Sequence, residues 1–69
     1  MSYIISFNQK QQRRYLRAFD KYNIENSQPT SEINNALKIT TLSYASNIFR
    51  KINREQFANI SNLKIEYIK

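Results

Sequence analysis

The chain contains no glycine. Glycine takes positive φ without a Cβ clash, so every left-handed turn here must be built from another residue. The plentiful asparagines, with aspartate, are the expected substitutes. The same absence removes the glycine-rich phosphate loop, the P-loop and the dinucleotide fingerprint together. Cysteine and histidine are also missing. A disulfide framework is therefore excluded, as is any zinc site built on Cys or His, and the common nucleophile–base pairs lose their base. The acidic residues Asp20, Glu25, Glu32, Glu55 and Glu66 are scattered. None has the paired spacing that acid–base chemistry needs, and no loop clusters oxygen ligands for a metal. The expectation is a non-enzyme with no catalytic residue, no metal site and no cofactor of its own.

With 69 residues the chain makes one small domain, 1–69, whose core is marginal and has neither staple nor metal to help it. Ile, Leu, Phe and Tyr must supply the stability, completed by a partner. Lys and Arg number 11 against 5 Asp and Glu, a net charge of +6. So large an excess favours an acidic partner: a protein, nucleic acid or a membrane surface. No apolar run approaches the length of a membrane span. Met1–Phe7 is apolar but short, without a basic leader or small-residue cleavage site, so no signal peptide is expected.

Along the chain, Ser2–Phe7 reads as a strand, with Tyr3, Ile5 and Phe7 on one face and Ile4 on the other. Asn8 is placed to cap a helix from Gln9 to about Tyr22. Its apolar face would be Tyr15, Leu16, Phe19 and Tyr22. Lys10, Arg13, Arg14, Arg17 and Lys21 would form a basic stripe opposite, nearly half of the chain's positive charge. Asn23–Ser31 reads as a connection, with Pro29 holding Gln28 out of helix.

Ile33–Arg54 admits two readings. As one long helix, Ile33, Leu37, Thr41, Tyr44, Ile48 and Ile52 share a face. As a strand over Leu37–Thr41 followed by a helix capped by Ser43, Leu37 and Ile39 point inward. The second is preferred because the long helix leaves Ile39 and Leu42 off its apolar face. The helix, near Tyr44–Phe57, then buries Ala45, Ile48, Phe49 and Ile52, with Arg50, Lys51 and Arg54 turned outward. Asn59, Ser61 and Asn62 suggest a turn, and Leu63–Ile68 alternates as a half-buried strand. The expected fold is α+β, a two-layer β-α-β-α-β domain with a three-stranded sheet and two amphipathic helices; the alternative is mostly helical.

The stretches Pro29 through Leu42, Phe49-Arg-Lys-Ile-Asn-Arg54 and the closing Leu63-Lys-Ile65 resemble the small linker domain of phycobilisomes, the CpcD type. In that family a strand leads into a helix carrying a large apolar residue, two basic residues, Ile, a polar residue and Arg. Phe49–Arg54 reproduces the order, and Tyr3–Phe7 matches the family's first strand. The likeness covers about half of the chain in detail. It departs at Thr41, where the family usually has Pro, and before the last strand, where Phe57-Ala-Asn-Ile-Ser-Asn62 replaces a Gly-Gly pair. The basic stripe of the first helix has no close counterpart in short family members.

The resemblance implies a colourless linker or cap that seats in an acidic phycobiliprotein disc at the thylakoid surface, aiding assembly and energy transfer. The bilins would belong to the partner. On this likeness Tyr44, Arg50, Lys51 and Arg54 are the partner-binding residues; charge alone adds Arg13, Arg14 and Arg17. Two alternatives stand beside it. One is a small basic nucleic-acid-binding or ribosome-associated protein, for which Tyr15, Phe19 and Tyr22 look like core rather than stacking platforms. The other is a phage- or plasmid-type inhibitor of a host protein.

Overall fold

The run Tyr3-Ile-Ile-Ser-Phe7 carries apolar groups on both faces, and such a strand must be covered on both. A computed structural model describes residues 2–20, 22, 27–55 and 60–68, and in it this run lies at the interior of a sheet. Strand β1 (Ser2–Gln9) is flanked by β2 (Gln12–Ala18) and β4 (Ser61–Ile68), and β3 (Gln28–Thr30) lies beyond β2. The antiparallel sheet has the order β3-β2-β1-β4. Helix α1 (Leu42–Glu55) packs on one face, and a 3-10 turn spans Ile33–Asn35.

The fold is therefore α+β, but with four strands and one helix among the described residues, not the expected three strands and two helices. The helix expected from Gln9 to about Tyr22 is absent. Lys10 and Gln11 form a two-residue hairpin turn instead, with Gln9 opposite Gln12 and Tyr15 opposite Ser6. Asn8 lies within β1 and caps nothing. The apolar spacing of Tyr15, Leu16, Phe19 and Tyr22 suits a helix. The open edge of a twice-covered β1 outweighs it, because pairing supplies ladder bonds that an isolated amphipathic helix cannot. Of those four residues Leu16 is fully buried, whereas Tyr22 is 88% exposed.

The turn also corrects the asparagine expectation. Lys10 and Gln11 both have positive φ, at 52° and 65°, and among the described residues Asn62 follows the rule, at 52°. Positive φ at both central residues matches the twist of the flanking strands, so the chain accepts it at Lys and Gln. Asn62 lies at an irregularity where the β1–β4 register slips between Ser6 and Asn8. The segment expected to be a connection over 23–31 contains β3, with Pro29 in an edge strand, where a missing N–H is tolerated.

The strand expected over Leu37–Thr41 does not form: only Ile39 bridges, to Tyr3, because the segment meets two different strands and turns at Thr40. The long-helix alternative is excluded too, since α1 begins only at Leu42. The segment fills the wedge that opens between β1 and β2. Leu37 N–H donates to the Leu16 carbonyl at 2.8 Å, and Ile39 exchanges two bonds with Tyr3, at 2.7 and 2.9 Å. Thr41, not Ser43, caps the helix: its Oγ1 accepts from Tyr44 N–H at 3.3 Å and its carbonyl from Ala45 N–H at 3.1 Å. Ser43 lies inside α1, which ends at Glu55; Gln56 to Asn59, including Phe57, are outside the described residues. The core between helix and sheet comprises Ile5, Phe7, Leu16, Ile39, Ala45, Ile48 and Ile52. Phe49, expected in it, is only half-buried.

Candidate docking surface

Residues of α1 divide by the helical period. Ala45, Ile48 and Ile52 face the sheet. Ser43, Asn47, Arg50 and Arg54 follow at steps of four, three and four, which puts them on the opposite side. All four are exposed. Tyr44 and Lys51, seven residues apart, form the shoulder of this stripe. Tyr44 is 53% exposed. Lys51 Nζ lies 3.1 Å from the Glu55 carboxylate, an i,i+4 pair that holds the ammonium along the helix. Arg54 lies in the last turn, where a cation meets the negative end of the helix dipole. Tyr44, Arg50, Lys51 and Arg54 are thus brought onto the outward half of one rigid element.

Arg13, Arg14 and Arg17 are not a stripe. They belong to β2, where successive side chains alternate between faces. Arg14 stands opposite Phe7 on the helix-covered face, half-buried, and its Nε is buried without a hydrogen-bond partner. Arg13 stands opposite Asn8 on the other face. There its Nη2 donates to Ser6 Oγ at 2.7 Å and to Glu66 Oε2 at 2.6 Å. Arg17 is exposed. Lys10 sits in the hairpin turn, and Lys21 lies outside the described residues. The charge that one helix was expected to focus is spread over two faces and a loop.

The Ser6–Arg13–Glu66 network bridges β1, β2 and β4 across the face that α1 leaves uncovered. Ser6 is fully buried. Hydrogen bonds from Ser6 and then Arg13 hold the Glu66 carboxyl below its usual range, against the desolvation that would raise it. Sequence reasoning did not find this network, because it needs Arg13 on a strand. The signal available was the apolar β1 with a lone serine at its centre. Lys38 was also unmarked; its Nζ donates to the carbonyls of Ala36 at 3.0 Å and Ile33 at 3.3 Å, closing the 3-10 turn.

Among the described residues no three His, Cys, Asp or Glu side chains gather where a metal would be held. None of the described helices is long and apolar enough to cross a membrane. What the outward side of α1 offers is hydrogen-bond donors, positive charge and one phenol on a fixed backbone. Such donors are of the kind that pair with carboxylates. Comparison with known proteins finds no matching family, no matching characterised protein and no matching solved structure.

Proposed function

We propose that this chain is a non-catalytic basic linker or cap that docks on an acidic protein, with α1 as the docking element. The observation that carries the reading is the exposed row Arg50–Arg54, flanked by Tyr44 and Lys51, on a helix whose other face is locked into the core. Arginine and tyrosine on a rigid element lose little side-chain freedom on binding, and opposite charge across the contact speeds and orients the encounter.

The partner we propose is a phycobiliprotein disc of the phycobilisome, at the thylakoid surface. The resemblance at Phe49–Arg54 names it. Its supporting geometry is the order of α1 and then β4 beside β1, with a single bridge from Ile39 to β1 where the family has a strand. The β2–β3 portion has no place in that likeness. In this role the protein carries no pigment, and the bilins belong to the disc.

Isolation from the native source tests it. The protein should travel with coloured discs, and adding it to stripped discs should shift their absorption. Arg50→Glu with Arg54→Glu should weaken that binding at least tenfold, since two cations become repulsive, at about 1.4 kcal/mol or more in total. Recovery in colourless fractions, or discs that ignore the protein, overturns the reading. Binding to RNA or DNA whose affinity falls steeply with salt would select the nucleic-acid alternative instead.

A further inference from the structure

The two edges of the sheet are unlike. The β3 edge is three residues long and carries Pro29, the usual means of blunting an edge. The β4 edge is eight residues long, has no proline, and among the described residues has no strand on its outer side.

The free hydrogen-bonding groups of that edge can be assigned. Tyr3 uses its N–H and C=O on Ile39, on the β2 side of β1. Backbone groups alternate along a strand, so those of Ser2, Ile4 and Ser6 turn toward β4. Their register partners Ile68, Glu66 and Lys64 therefore face β1. Leu63, Ile65 and Tyr67 are left with N–H and C=O directed outward. The β1–β4 register slips between Lys64 and Ser61, so Leu63 adjoins the irregularity at Asn62 and the pairing is regular from Lys64 to Ile68.

The run Leu63-Lys64-Ile65-Glu66-Tyr67 is self-complementary when reversed about Ile65. We infer that β4 pairs antiparallel with β4 of a second copy of this chain, Ile65 opposite Ile65, joining two sheets into one. In that register Ile65 pairs with Ile65 and Leu63 with Tyr67, all as hydrogen-bonded pairs, and every outward group of the three residues is satisfied. On the helix-covered face the apolar Leu63, Ile65 and Tyr67 of both copies meet. Tyr67 is 49% exposed in the single chain. On the other face each Lys64 stands opposite the second copy's Glu66. Its carboxylate also binds Arg13 through Oε2. The pairing is isologous and consumes both β4 edges, so it stops at a dimer with only the blunted β3 edges left.

Sedimentation of the full chain tests the inference, with far-UV circular dichroism as the check on folding. The wild type should sediment as a dimer. Ile65→Pro removes an outward N–H without touching the β1 ladder and should give a folded monomer. Lys64→Glu sits at an exposed position and sets the introduced carboxylate against Glu66 at both ends, weakening the dimer roughly tenfold. Glu66→Lys does the same with lysines. An equimolar mixture of Lys64→Glu and Glu66→Lys chains should recover dimers, because every cross-pair is then opposite in sign. A wild type that stays monomeric at millimolar concentration overturns the proposal. So does a dimer that ignores Lys64→Glu, or one whose mixed variants fail to associate. Disc binding through α1 is scored separately, so failure of either reading leaves the other measurable.

Discussion

Arg13 links three strands through one guanidinium, and its chemistry sets a pH dependence. Glu66 accepts from Ser6 and Arg13, and its carboxyl is held below its ordinary value of 4.5. A carboxyl whose folded pKa is depressed contributes stability that is present above the unfolded value and lost as pH falls through the folded one. The network should thus help fully at pH 6 and fade below about pH 4.5. Both side chains are about a third exposed, so solvent screens the pair and the contribution is modest. Urea midpoints at pH 6 and pH 3 check this. Glu66→Gln should lower the midpoint at pH 6, and the loss should be smaller at pH 3, where the wild-type carboxyl gains protons; an equal loss at both would assign the effect to packing.

The hairpin turn is the second case at this scale. Lys10 and Gln11 hold positive φ with a Cβ present, which costs about 1 kcal/mol each. Lys10→Asn with Gln11→Gly supplies the pair that such a turn prefers. The variant should be more stable by about 1 kcal/mol, seen as a higher urea midpoint at unchanged slope.

Among the elements, α1 was legible because two signals agree in it. Ala45, Ile48 and Ile52 fall at helical spacing, and the cations fall opposite. β1 and β4 were legible for the same reason, with alternation supported by β-branched residues. β2 was not. Gln-Arg-Arg-Tyr-Leu-Arg-Ala has one buried position, Leu16, and a composition as suited to helix as to strand. What decides it is the partner strand, a non-local term that no window of sequence contains. β3 is three residues of turn-like composition and exists only because β2 offers it an edge. The candidate docking residues divide in the same way. Those of α1 reach one surface because their element was read correctly; Arg13 and Arg14 part company because theirs was not. The cap gives the test at this scale. Thr41→Ala should destabilise the protein by about 1 kcal/mol, whereas Thr41→Ser should be nearly neutral. Ser43→Ala, at the position expected to cap, should change little, and thermal melts of the three separate the two cap assignments.

At the scale of the whole molecule, the described residues form one apolar core, and it is small. Seven buried side chains make up the cluster, and one is an alanine. Removing part of Ile48 should therefore be severe: Ile48→Ala costs about 2–5 kcal/mol in a packed core, comparable to the entire stability of a small domain. Ile48→Ala should lose the cooperative melt, or bring its midpoint near room temperature. A partner changes that outcome. A ligand that binds only the folded chain adds about 2.7 kcal/mol at a hundredfold excess over its Kd, enough to offset the milder end of the loss. The proposed docking row lies opposite the core on α1, so Ile48→Ala leaves Arg50 and Arg54 in sequence and, on that proposal, lets binding pull folding. Titrating the variant with acidic discs should then restore helical circular dichroism. The same titration of Ile48→Ala carrying Arg50→Glu and Arg54→Glu should not. If both respond alike, the contact does not run through α1, and the stabilisation comes from another face of the molecule.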